Sequence, residues 1–263
     1  MKNKLPIAHP GYADGSCRLP VEKPEGSRFL FQIENRKSKI ENGFTLIELL
    51  VVISIIALLA SFTIPVMKQL KRREYINKTQ AEMAKLETAI DSYKATYGFY
   101  PPSNAGSPFF SPLYFELLGT TNNTTTGTYQ TLDGTASITV AALTTPPAPG
   151  PLGVGGFINC TKPGAGEDAV AAKNFLPDLN SQQIVFTNTN LPNYPNILLP
   201  LLVASVGGPD FYKGLPVTNP WRYVYPGTNN PNSYDLWIEL SIAGQTNLIC
   251  NWTKEVQKNT TLP

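Results

Sequence analysis

The chain has 263 residues, 42% hydrophobic and 15% charged, a composition that suits one or two packed domains and excludes disorder throughout. Its formal net charge of +2 offers no concentrated basic face for phosphates, so no nucleic acid partner is expected. The surplus is local: residues 1–43 hold eight Lys/Arg against five Asp/Glu, and the remainder holds 13 against 14. His9, the only histidine, lies in that first segment. If the segment is removed, the mature chain cannot perform Ser-His-Asp or Cys-His catalysis or hold zinc through imidazole.

Residues 1–43 are polar, contain scattered Gly and Pro, and end in NRKSKIENG without hydrophobic periodicity. They read as a basic cytoplasmic leader, because a secretory signal would have a shorter apolar region and small residues at its cleavage site. From Phe44 to Met67 the chain is apolar for 24 residues, about 36 Å as a helix and enough to cross a hydrocarbon core of about 30 Å. The flanking charges do not orient this segment, since RKSK precedes it and KQLKRR follows it. One carboxylate, Glu48, interrupts the run. An ionised carboxylate in mid-bilayer is costly, so Glu48 needs either the interface or a positive partner.

Further along, Ile76, Met83, Leu86, Ile90, Tyr93 and Tyr97 recur at helical spacing and form one apolar stripe. Nothing breaks the pattern between Met67 and Tyr97, so the two segments are expected to form one helix, kinked at Pro65. It should stop at YGFYPP, where Gly98 can take a left-handed cap conformation and Pro101 and Pro102 prevent continuation.

Beyond Pro102 the composition shifts to Thr, Asn, Gly and Pro, which predicts loops and short strands and a surface insertion at about 120–200. SPLYFELLG reads as a short helix, and NILLPLLVAS as a buried segment of open type. The runs WRYVYPG, YDLWIELSI and TNLICNW predict an antiparallel sheet laid on the amphipathic helix. Trp221, Tyr223, Tyr225, Tyr234 and Trp237 in these runs are expected in the core, a ligand platform being the alternative. Cys160 and Cys250 are either one disulfide or two buried thiols.

The string GFTLIELLVVISIIALLA resembles the type III signal of type IV pilins and type II secretion pseudopilins, with Gly43, Phe44, Glu48 and Pro65 at matching places. The resemblance implies that a prepilin peptidase cuts between Gly43 and Phe44 and methylates the new Phe44 amine. It implies a leader inside the cell and a head outside. Glu48 would neutralise the terminal amine, in particular that of a neighbouring subunit, as subunits enter a filament. ETAIDSYKATYGFYPPS, GLPVTNPWRYVYPGTNNPNSYDLWI and NLICNW are similar to the major pseudopilins of type II secretion.

The fold implied is α+β, a pilin fold with a long N-terminal helix packed on a small antiparallel head. Its parts are a leader at 1–43, a transmembrane half at 44–67, an amphipathic half at 68–98 and a head at 99–263. The resemblance also implies calcium in an acidic loop after the YDL strand. This chain departs from it: SIAGQTNLICNW has no carboxylate between Ser241 and Trp252, and Asn219 stands where an Asp commonly precedes Pro-Trp. No cofactor is therefore expected, because hard cations need several oxygen ligands. Asp210, Asp235 and Glu239 remain candidate ligands, and Cys160–Cys250 is the candidate covalent staple.

Function is expected to be structural and not enzymatic: an inner-membrane, single-pass subunit with a periplasmic head that polymerises into a type II secretion pseudopilus. Its partners would be the membrane, copies of itself, the prepilin peptidase, minor pseudopilins and the secretion assembly platform. A type IV pilin for adhesion, motility or DNA uptake is one alternative. A membrane-anchored enzyme or carbohydrate-binding module is another, against which stands the absence of a clustered carboxylate pair in the head sequence.

Overall fold

Gly98 adopts φ 84° and its N–H donates to the Lys94 carbonyl at 2.7 Å, which closes the long helix at the expected place. In a computed structural model describing residues 43–145, 149–161, 171–191, 194–206, 219–242 and 244–258, this helix, α1, spans Leu46–Tyr97 and passes through Pro65. The chain divides into two compact units, Met1–Val52 and Ile53–Pro263. The leader, with His9 and Cys17, lies outside the described residues, apart from Gly43 at its end.

The stripe on α1 performs as its spacing predicts. Leu86, Ile90 and Tyr93 are buried, and Ile76, Met83 and Tyr97 pack against the same core. The apolar first part of α1 is exposed instead: Leu46, Ile53, Leu59 and Phe62 are 56–81% exposed. The membrane crossing expected at 44–67 is not evident from the helix itself. Among the described residues no helix is long and apolar enough to cross a membrane.

The three C-terminal runs form the antiparallel sheet expected of them. Strands β7 (Arg222–Val224), β8 (Asp235–Ile242), β9 (Gln245–Cys250) and β10 (Thr253–Lys258) lie in the order β10-β9-β8-β7. Alternation on β8 sends Leu236, Ile238 and Leu240 into the core shared with α1, while Trp237 joins Leu248 and Cys250 in a second cluster. Four of the five aromatic residues are core: Trp221, Tyr223, Tyr234 and Trp237 are at most 7% exposed, whereas Tyr225 is 37% exposed. SPLYFELLG contains the helix α2 (Leu113–Leu118), all of it buried.

The segment expected to be a loop-rich surface insertion is more ordered and more central than its composition predicts. It contains β1 (Thr120–Asn123), β2 (Thr128–Thr131), β3 (Ser137–Thr139), a short helix α3 (Val140–Thr144) and β4 (Cys160–Thr161). The strands form a mixed sheet in the order β3-β2-β1-β4, with β4 parallel to β1. Strands β5 (Ile184–Leu191) and β6 (Tyr194–Leu202) then pair as a hairpin, which assigns NILLPLLVAS to a strand. Leu143, Leu152 and Leu199 are fully buried, and Ile138 and Phe157 join them. These apolar residues are too widely spaced to give a period, yet they converge on the core reached by α1 and α2.

Candidate functional site

Of the residues expected to serve processing and assembly, Gly43 and Phe44 lie just before α1 and Glu48 lies in its first turn. Thr45 precedes the helix, and both its N–H and its Oγ1 hydroxyl donate to Glu48 Oε2 at 2.8 Å. In return the Glu48 N–H donates to Thr45 Oγ1 at 3.3 Å. This is a capping box, which satisfies two of the backbone donors that a helix start leaves without partners. The carboxylate also lies at the positive end of the helix dipole. Glu48 is thus held by the residue three positions before it, and among the described residues its Oε1 has no hydrogen-bond partner. Thr45 escaped the sequence reading, although TLIE before an apolar run is the spacing that announces such a box.

Phe44 is 79% exposed. A Cβ placed on Gly43 would meet nothing within 4 Å. The chain's own packing therefore does not require glycine at 43. Pro65 stands in α1, where its ring removes one backbone donor.

The metal candidates do not converge. Asp210 lies outside the described residues. Asp235 is buried and already accepts from Asn229 N at 2.8 Å, Asn229 Nδ2 at 3.0 Å and Asn230 N at 3.0 Å, which folds the turn after Tyr225. A Cβ on Gly227 would stand 2.5 Å from Asp235 Oδ1, so that turn closes tightly on the carboxylate. Glu239 faces a different problem: the buried Arg222 guanidinium lies near it, across the β7–β8 pair. Burial brings Arg222 down to about 10 against the opposing pull of Glu239, and burial raises Glu239 while Arg222 holds it back. Arg222 also lies 5.0 Å from the Phe109 ring centre. Among the described residues no three His, Cys, Asp or Glu side chains gather as a metal site.

The staple is likewise absent from this structure, where Cys160 and Cys250 are not bridged. Cys160 begins β4 in the mixed sheet and packs against the main core, while Cys250 ends β9 in the C-terminal sheet and lies in the second cluster. Cys160 Sγ lies 3.6 Å from the Thr161 carbonyl oxygen and Cys250 Sγ lies 3.3 Å from Thr253 Oγ1.

One buried carboxylate went unnoticed in the sequence. Glu116 on α2 is fully buried and accepts from Ile158 N at 2.9 Å, Asn159 N at 3.0 Å and the Tyr93 hydroxyl at 3.0 Å. Asn159 completes the junction. Its Nδ2 donates to the carbonyls of Glu116 and Lys173, and its Oδ1 accepts from Lys173 N and the Tyr97 hydroxyl. Burial raises the Glu116 pKa against these donors, and burial with Glu116 alongside raises that of Tyr93. The junction joins α1, α2 and the strand β4 region. No spacing rule announces it, because its members are distant in sequence.

Residues 38–64 match the family described as Prokaryotic N-terminal methylation motif. The chain is 35% identical over 71 residues to the Type II secretion system core protein G of Vibrio cholerae, covering 27% of this chain and 49% of that protein. The protein of the same name from Escherichia coli K12 is 38% identical over the same shares, and that of Pectobacterium carotovorum is 36% identical over 25% of this chain and 42% of its own length. The chain thus spans about half the length of the curated relatives it matches. No solved structure matches it.

Proposed function

From a chain that carries a prokaryotic N-terminal methylation motif and is pseudopilin-like in the region it shares with type II secretion core protein G, we propose a structural subunit of a type II secretion pseudopilus. The leader is cut between Gly43 and Phe44 by a prepilin peptidase, and the Phe44 amine is methylated. Residues 44–67 then anchor the subunit in the inner membrane, with the head in the periplasm, until it is drawn into a helical filament that assists export across the outer membrane. Minor pseudopilins and the secretion assembly platform are its partners, and it has no catalytic role.

The observation that carries this reading is the first turn of α1. Cleavage creates a positive amine beside a carboxylate that is already oriented. Thr45 N–H and Oγ1 occupy Oε2 of Glu48, and because Thr45 lies beyond the cut, the box survives processing. Oε1 is left to meet an amine, that of the same chain or a neighbour's. In a water-poor filament interior such a pair is electrostatically stronger than in solvent and specifies axial register more than it stabilises. The exposed apolar residues from Phe44 to Phe62 provide the surface that neighbouring copies and lipid cover.

Mass spectrometry of protein recovered from membranes tests the reading. An N-methylated Phe44 terminus is expected, and assembled protein retaining residues 1–43 would overturn it and favour an uncleaved anchor.

A further inference from the structure

Three consecutive cations, Lys71, Arg72 and Arg73, follow the exposed Met67 and Leu70 on α1, and they are not used alike. Arg72 is turned to the sheet, where its Nη2 donates to Oδ1 of the fully buried Asn247 at 2.6 Å. Each helical residue is rotated about 100° from the last, so fixing Arg72 inward points Lys71 and Arg73 to the exposed flanks. Both are exposed, and among the described residues neither has a hydrogen-bonding or ionic partner.

The membrane-anchored reading above, on which this inference rests, sets their depth. The apolar run ends at Met67, so Lys71 and Arg73 stand about 6 and 9 Å farther along the helix, and their long side chains reach back to the headgroup layer on the side from which the head emerges. Neither cation has an ionic partner among the described residues, and anionic headgroups supply a counter-charge at that depth. We propose that Lys71 and Arg73 form a binding collar for anionic phospholipid headgroups. The collar holds the subunit at one depth and rotation before it is taken into a filament.

The test uses the full processed chain in vesicles of phosphatidylcholine alone or mixed with phosphatidylglycerol, and in detergent for native mass spectrometry. Wild type should retain phosphatidylglycerol over phosphatidylcholine, and K71Q/R73Q should weaken that retention by roughly five-fold per charge removed. R72Q should disturb the helix–sheet contact while leaving the lipid preference in place. Insertion into both vesicle types without a lipid preference, or an unchanged K71Q/R73Q, overturns the collar alone. Release of the wild type by alkaline carbonate from both vesicles overturns the anchored reading as well. Loss of cross-linking between copies in K71Q/R73Q with lipid preference intact would assign the cations to a subunit contact instead.

Discussion

Thr45 and Glu48 show why a costly carboxylate in an apolar segment need not be read from charge alone. Its hydrogen bonds to Thr45 give Glu48 a local role at the helix start before any neighbouring subunit arrives. Thr45→Val removes the hydroxyl while keeping the side-chain volume. It should speed hydrogen exchange at the Glu48 amide about five-fold, with cleavage after Gly43 retained. Glu48→Ala should likewise be processed but assemble poorly, and filaments at wild-type yield would contradict the register role. Gly43→Ala is informative for the opposite reason. No neighbour crowds that position, so the circular dichroism spectrum should be unchanged while processing stops, which places the glycine requirement in the peptidase.

At the scale of elements, α1 is held to the rest of its unit by two different means. The stripe through Leu86, Ile90 and Tyr93 buries apolar area, and Ile90→Ala should cost about 2–5 kcal/mol in chemical denaturation, whereas substitution at exposed Lys85 should be near neutral. The second means is hydrogen bonding, at the Glu116–Asn159 junction and, nearer the start of the helix, from Arg72 to Asn247. Asn159→Ala leaves the Lys173 amide and the Tyr97 hydroxyl without their acceptor, a loss of about 1–3 kcal/mol. Because burial raises the Glu116 pKa in the folded state, the folded form binds its proton more tightly than the unfolded chain. Its contribution is therefore complete below about pH 4.3, the ordinary glutamate value, and declines as pH rises from there through the raised folded value. The melting temperature of Glu116→Gln relative to wild type should rise correspondingly across that window; a difference independent of pH would contradict the shift.

Across the unit from Ile53 to Pro263, the three sheets and α2 share a core with α1, so what was expected to be a surface insertion is part of what folds the head. Leu143→Ala, inside the segment expected to be loops and short strands, should destabilise the C-terminal sheet's aromatic core as well as its own surroundings, read as loss of Trp221 fluorescence protection at lower urea. Dithiothreitol should leave the melting temperature unchanged. Cys250, 2% exposed, should resist thiol reagents in the folded protein while the half-exposed Cys160 reacts. Formation of a Cys160–Cys250 bridge on oxidation without unfolding would contradict the strand placement.

Local chemistry explains which features could be read without coordinates. The helix stripe, its stop at Gly98, the short helix in SPLYFELLG and strands β7 to β9 depend on residues close in sequence, through side-chain period and turn chemistry. The motif at Gly43, Phe44 and Glu48 is equally compact and, beside the strings ending in YGFYPPS, YDLWI and NLICNW, carries much of the family resemblance. Even there Thr45 was overlooked despite a legible spacing. Tertiary structure decided the rest. It placed β4 parallel to β1, drew Ile138, Leu143, Leu152 and Phe157 from a Thr/Asn/Gly-rich stretch into one core, separated Cys160 from Cys250, and gave Asp235 and Glu239 work in a turn and beside Arg222. These outcomes depend on which distant residues can share burial and satisfy one another's hydrogen bonds, and such long-range pairings leave no period in the chain.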